Sequence, residues 1–182
     1  IMGNPPFVGY SLQSKEQKAD MLDIYVDEKG KSYKTAGKID YVAGWYFKAA
    51  EYIQNTGVRA AFVSTNSITQ GEQVAAVWKP LYDRFGIHID FAWRTFKWDS
   101  ESTEKAAVHV VIIGFSNEKT TSEYRLYSTP TQSNICENIS PYLVDAPNMF
   151  IEARTKSLCN VHDMVVGNRP ADGGALIIEN AE

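Results

Sequence analysis

Cysteine is nearly absent: Cys136 and Cys159 are the only two in 182 residues, with neither CxxC spacing nor a histidine pair close by. That argues against a disulfide-built secreted scaffold and against a structural metal site, so both read as free thiols in a reducing, cytoplasmic compartment. Long hydrophobic runs are missing too. The longest, residues 108–115, is interrupted by His109 and falls far short of the ~20 residues that span a bilayer, so no membrane contact is expected. No charged-then-apolar start resembles a signal peptide. Basic charge is also short. Eighteen Lys and Arg against 22 Asp and Glu leave a net charge of −4, which speaks against a surface that clings to nucleic acid all round. The three histidines, His88, His109 and His162, have no partners at catalytic spacing and read as structural. What is present is 44% hydrophobic and 22% charged, enough for one core and most simply one domain, with room for the start of a second.

The chain opens on Ile1-Met2-Gly3, which reads as the end of a strand with nothing ahead of it and suggests a cut fragment. Ser14-Lys15-Glu16-Gln17 fits a capping box that starts a short helix to about Tyr25. Residues 26–38 are polar and predict a surface loop. Ile39, Val42, Ala43, Tyr46, Ala50 and Ile53 recur at helical spacing, and Gly57 marks a stop. Residues 58–63 predict a strand covered on both faces. Thr69-Gln70-Gly71-Glu72 is a second capping-box pattern, opening a helix to about Phe85 that Pro80 should kink or split. Ile87, Ile89 and Phe91 alternate like a half-buried strand. Residues 108–115 predict the strongest strand, buried on both faces, with 122–128 pairing against it as an antiparallel hairpin. Strand, helix, strand, helix, strand and hairpin make the second half of a doubly wound α/β sheet. From Thr129 the composition turns to Pro, Asn and Asp, which predicts a linker over 129–138.

The chemistry concentrates in Asn4-Pro5-Pro6-Phe7, directly after the first strand. With Pro near 5% of residues, this tetrapeptide arises by chance on the order of once in a thousand such chains. The plain alternative is a rigid turn. The two prolines fix φ, remove two N–H donors and force the residue before each towards an extended conformation. The segment is therefore stiff and rich in acceptors. The Asn4 side-chain oxygen and the Pro5 carbonyl can converge on one NH2 group, such as the amino group of adenine. That nitrogen is a poor nucleophile because its lone pair is delocalised into the ring. Two aimed acceptors favour a more pyramidal nitrogen without any strong base, and the motif contains none. Phe7 offers a flat face for stacking.

Asn-Pro-Pro-aromatic after a sheet strand resembles the signature of S-adenosylmethionine-dependent methyltransferases acting on adenine in DNA, and is shared with protein-glutamine methyltransferases. Other stretches narrow the resemblance to the MmeI-like group of bacterial restriction-modification enzymes. They are Asp40-Tyr41-Val42-Ala43-Gly44-Trp45-Tyr46, Phe62-Val63-Ser64-Thr65-Asn66-Ser67-Ile68-Thr69-Gln70-Gly71-Glu72, Arg94-Thr95-Phe96-Lys97-Trp98, Val108-His109-Val110-Val111-Ile112-Ile113-Gly114-Phe115 and Ile139-Ser140-Pro141-Tyr142-Leu143-Val144-Asp145. Nearly the whole chain is covered.

The resemblance implies the C-terminal half of a Rossmann-like class I methyltransferase domain over residues 1–128. It implies a linker and the start of a target-recognition region over 129–182. Asn4, Pro5, Pro6 and Phe7 would be the catalytic motif, with Phe7 and Phe96 stacking on the two faces of a flipped base. Trp98 competes with Phe96, whose alternative is a core position. Trp45 would pack on the cofactor adenine, with Asn4 also near the cofactor; a plain helix-to-sheet contact is the alternative for Trp45. Ser64-Thr65-Asn66 falls at a ligand-binding strand end, or is a plain polar loop. The family's glycine-rich cofactor loop does not appear, since Ala171-Asp172-Gly173-Gly174 follows no strand. This chain by itself is therefore expected to bind S-adenosylmethionine weakly or not at all. Double-stranded DNA is the implied partner, with a restriction endonuclease fused or separate. A non-catalytic DNA-binding or assembly module and a protein-glutamine methyltransferase are the competing readings.

Overall fold

The computed structural model describes residues 1–98, 108–118, 123–154 and Cys159, so Ser122, His162 and residues 171–174 lie outside the described residues. Three helices form where the patterns place them. Helix α1, Lys15–Ile24, opens on the expected capping box: Ser14 Oγ accepts from the Gln17 N–H at 3.2 Å, and Gln17 Oε1 accepts from the Ser14 N–H at 3.0 Å. Helix α2, Ala43–Tyr52, buries Ala43, Gly44, Tyr46, Phe47, Ala49 and Ala50. Helix α3, Gly71–Phe85, departs from expectation at both its start and its proline. The second capping box does not form. Thr69 Oγ1 donates instead to the Asn66 carbonyl at 2.8 Å inside a 3-10 turn, Asn66–Thr69, and Gln70 caps without a side-chain bond. Pro80 does not split the helix, which runs uninterrupted over 15 residues. A mid-helix proline costs about 3 kcal/mol. Burial of Val74, Val77, Trp78, Pro80, Leu81 and Phe85 on one face offsets it.

The sheet is six-stranded and mixed, in the order β1-β2-β4-β3-β5-β6. Its strands are β1 Met2–Gly3, β2 Ala60–Thr65, β3 His88–Trp98, β4 Val108–Ser116, β5 Tyr124–Thr129 and β6 Gln132–Cys136. The α/β class is as expected, and β4 is the central buried strand, with Val110, Val111, Ile113, Gly114, Phe115 and Ser116 all buried. The expected pairing of 122–128 with this strand is wrong. Both edges of β4 are already filled, by β2 on one side and β3 on the other, both antiparallel. Strand β5 therefore takes the free edge of β3 in parallel register and turns back into β6. The closing hairpin is β5–β6. Within the span expected to be a linker, Thr129 ends β5 and residues 132–136 form β6, with a turn at 130–131 between them. Strand β6 is an edge strand whose residues 132–135 are exposed, so it carries no apolar period, and only Cys136 reaches the core. The expected strand 58–63 is shifted to 60–65 and is not covered on both faces. Its burial alternates strictly, and Val58 is exposed.

Strand alternation gives the sheet two distinct faces. Ala60, Phe62 and Ser64 lie beside Phe115, Ile113 and Val111, and that row faces the helices. Its centre is Tyr46 of α2, ringed by Phe62, Trp78 and Phe115 at 5.2, 5.3 and 5.4 Å, with its hydroxyl 2.6 Å from Ser64 Oγ. Burial pushes the Tyr46 phenol well above its ordinary pKa, so it stays a neutral partner for Ser64. On the second face the Phe91 ring packs against Gly114, where an added Cβ would fall 2.1 Å from a ring carbon. This face also holds Trp93 stacked on Tyr127, with centroids 5.5 Å apart. The compact unit runs Ile1–Glu152, and Ala153–Glu182 forms a second unit of which Ala153, Arg154 and Cys159 are described.

Candidate active site

Strands β1, β2, β3 and β5 all point the same way, because β1 is parallel to β2, β4 is antiparallel to both β2 and β3, and β5 is parallel to β3. Their carboxyl ends therefore share one edge. Ligands of doubly wound sheets bind at that edge. It gathers Asn4-Pro5-Pro6-Phe7 after β1, the Asn66–Thr69 turn after β2, and Phe96 and Trp98 at the end of β3.

The motif has one deeply anchored residue. Pro5 is buried, Phe7 is half-buried, and Asn4 and Pro6 are exposed. Among the described residues the Asn4 side chain has no hydrogen-bond partner, so its oxygen is available to an incoming donor. The loop that follows is stitched down by the Tyr41 N–H donating to the Val8 carbonyl at 2.9 Å and by Gln13 Nε2 donating to the Ile39 carbonyl at 2.9 Å.

A third stitch runs through Asp40, which composition and spacing had not singled out. Its carboxylate is buried and accepts from four neutral groups. Oδ1 takes the Tyr10 N–H at 3.0 Å and Gln73 Nε2 at 2.9 Å. Oδ2 takes Thr65 Oγ1 at 3.4 Å and, closer still, Ser67 Oγ. The Asp40 N–H in turn donates to Gln73 Oε1 at 3.1 Å. The only sequence signal is an acidic residue placed between Ile39 and Val42, both fully buried.

The expected stacking and cofactor residues fall in different places. Phe96 is half-buried on the second sheet face, 6.0 Å from Trp93 and 6.2 Å from the exposed Trp98, near the end of β3 and ahead of the central strand β4 in the chain. A bulge between Trp93 and Phe96 keeps both rings on that face. Two strands separate β1 from β3, so their axes are about 14 Å apart. Trp45 projects from α2 away from Tyr46. It meets Tyr41 edge-on at 5.1 Å and lines a groove of about 550 Å³ with Asp20, Asp23, Ile24 and Lys48, and none of residues 4–7 lines this groove. Ser64 is fully buried against Tyr46, whereas Thr65 and Ser67 bind Asp40, so this strand end is a tied structure rather than a free polar loop. His88 does have polar partners, Asp90 Oδ1 at 3.1 Å and Ser116 Oγ at 3.2 Å, but at the opposite edge of the sheet.

The family model described as "MmeI, DNA-methyltransferase domain" matches residues 1–128. The chain belongs to the MmeI DNA-methyltransferase domain family. It is similar to DNA methyltransferase A of Bacillus subtilis (strain 168), with 42% identity over the whole chain. It also superposes on the structure of the type IIL restriction-modification enzyme MmeI in complex with DNA, with a TM-score of 0.85 and 44% identity over 96% of the chain. The chain spans about a fifth of these relatives, 20% of the first and 23% of the second.

Within this MmeI-family domain, sequence reasoning found the motif and the edge but missed Asp40 and Arg94. Arg94 Nε donates to the Leu143 carbonyl at 3.2 Å, and the two residues line a groove of about 350 Å³ with Thr69, Gln70, Tyr142 and Val144. The late stretch that carried part of the resemblance is thereby fastened to the same carboxyl edge.

Proposed function

We propose that this domain is the target-base half of an adenine-specific DNA methyltransferase, transferring a methyl group from S-adenosylmethionine to the exocyclic amino group of a flipped adenine. The single observation that carries this reading is Asn4-Pro5-Pro6-Phe7 at the carboxyl end of β1, with an exposed, uncommitted Asn4 amide beside a buried Pro5. The enzyme acts on double-stranded DNA in the cytoplasm of a bacterium, within a restriction-modification system whose endonuclease is fused or separate. The region that selects the DNA sequence begins after the closing strand β6, within residues 137–182. Product analysis tests this: DNA methylated by the enzyme and digested to nucleosides should contain N6-methyladenine. N4-methylcytosine as the product, or methylated protein glutamine, would overturn it.

S-adenosylmethionine supplies an electrophilic methyl when bound. The Trp45 groove offers its adenosyl end a half-buried indole face and Ile24, with the Asp23 carboxylate beside them, whereas Asp20 already accepts from the Tyr41 hydroxyl at 2.8 Å. Trp45→Ala should weaken cofactor binding by about tenfold, the loss of one stacked ring, while DNA affinity stays level. Equal losses in calorimetric titrations with cofactor and with duplex would contradict that role.

Asn4 Oδ1 and the Pro5 carbonyl accept the two amino hydrogens and aim the nitrogen lone pair. Phe7 and Phe96 hold the base while this happens. Extruding a base costs a few kcal/mol, and one stacked aromatic returns about 1–3 kcal/mol, so two rings balance what one does not. Phe7→Ala should therefore reduce occupancy of the extruded state, read as fluorescence of 2-aminopurine at the target. A mispaired target, already cheap to flip, should recover most of the loss. Equal loss on paired and mispaired duplexes would remove Phe7 from base capture.

A further inference from the structure

We propose that Asp40 is a positioning residue of methyl transfer: its buried carboxylate ties the loop after Asn4-Pro5-Pro6-Phe7 to the turn after β2, and so fixes where the Asn4 amide points. The proposal rests on the reading of Asn4 as the acceptor that orients the reacting amino group.

Two prolines leave the motif without N–H groups of its own at its centre, so its position is set by what holds its flanks. Upstream lies β1, only two residues long, paired to β2. Downstream lie the stitches at Val8, Tyr10 and Gln13. Of these, only the one through Asp40 also reaches Thr65 and Ser67 at the end of β2 and Gln73 in the first turn of α3. Asp40 therefore closes a ring from the motif's loop to the neighbouring strand end.

The residue type suits that task. Among the described residues no cation pairs with Asp40, so its buried charge is compensated by hydrogen bonds alone. A carboxylate accepts only, and can take all four donors at once. Bonds to an ionised acceptor are about twice as strong as neutral ones. An amide in its place brings an NH2 that must face two of the donors. The Tyr10 N–H cannot reverse, whereas the Thr65 and Ser67 hydroxyls can rotate, and they lie 2.8 Å from each other. Asparagine would thus keep the loop contact and weaken the tie to β2, shifting the motif without unmaking the fold.

The test is a double-mutant cycle in the full-length enzyme. Single-turnover methyl transfer is measured at saturating cofactor and duplex for wild type, Asp40→Asn, Asn4→Ala and the double variant, with DNA affinity and thermal unfolding in parallel. Asp40→Asn should slow transfer by about ten- to a hundredfold, the cost of a misplacement of about 1 Å. DNA affinity should hold within about twofold, and the double variant should be no slower than Asn4→Ala, since Asp40 acts through Asn4. A double variant slower by the full Asp40→Asn factor would make the two effects independent and overturn the proposal. Near-wild-type transfer by Asn4→Ala would instead remove the reading beneath it. If Asp40→Asn does not fold, Ser67→Ala replaces it: it cuts one tie to β2 and should slow transfer several-fold, again without adding to Asn4→Ala. A wild-type rate in Ser67→Ala, or additivity with Asn4→Ala, overturns the proposal equally.

Discussion

Asn4→Ala is expected to slow methyl transfer by about a hundredfold or more, with DNA affinity within about twofold of wild type. An adenine amino nitrogen has to lose conjugation with its ring before it can attack, and an acceptor that follows its hydrogens out of plane strengthens only as that happens. Such an interaction lowers the barrier rather than tightening the ground state. A hundredfold corresponds to about 2.7 kcal/mol, the value of one aimed group in a water-poor site and too much for a surface hydrogen bond. The fold has little at stake, since Asn4 is exposed and its side chain has no partner among the described residues. An uncharged amide neutralises no phosphate, and phosphate neutralisation dominates DNA affinity. Single-turnover rates at saturating cofactor and duplex decide the matter. Transfer near the wild-type rate would mean that Asn4-Pro5-Pro6-Phe7 is a turn and nothing more.

The motif's place after a strand could be read directly, because two adjacent prolines stiffen the chain locally whatever surrounds them. The helices were equally accessible, because a 3.6-residue apolar period survives in the sequence, as Val42, Ala43, Tyr46, Ala50 and Ile53 show. Strand partners were not. A central strand such as β4 looks the same from sequence whichever strands flank it, and the choice of β2 and β3 over β5 is made by edges becoming filled. The capping pattern at Thr69 failed for a related reason, because the hydroxyl found the Asn66 carbonyl of a 3-10 turn that no local rule had placed there. Asp40 was hidden because its four donors lie 25 to 33 residues away in four separate elements. Aromatic residues were hardest of all. Trp45, Trp78, Trp93 and Trp98 present one residue type to the reader and occupy a groove wall, the core, a stacked pair and an exposed strand end.

Trp78→Ala is the substitution expected to cost most stability, about 3–5 kcal/mol. The ring is fully buried, packs 5.3 Å from Tyr46, and donates through Nε1 to the Ile68 carbonyl at 2.8 Å. Truncation removes the packing and strands that carbonyl, which lies in the turn after β2. A domain stable by about 5–15 kcal/mol has little margin for such a loss. Trp78→Phe separates the two contributions, keeping most of the packing and losing the bond, for about 1–3 kcal/mol. Because one melting curve of a long enzyme does not isolate this domain, the readout is hydrogen exchange of the β2 and β4 amides, whose protection reports local opening. Trp45→Ala is the matched control, a half-buried tryptophan at the margin of the same core, next to Tyr46 in α2. It should leave β2 and β4 protected while weakening cofactor binding. If exchange in those strands accelerated as much for Trp45→Ala as for Trp78→Ala, then Trp45 would be a core residue and the groove proposed for the cofactor would lose its wall.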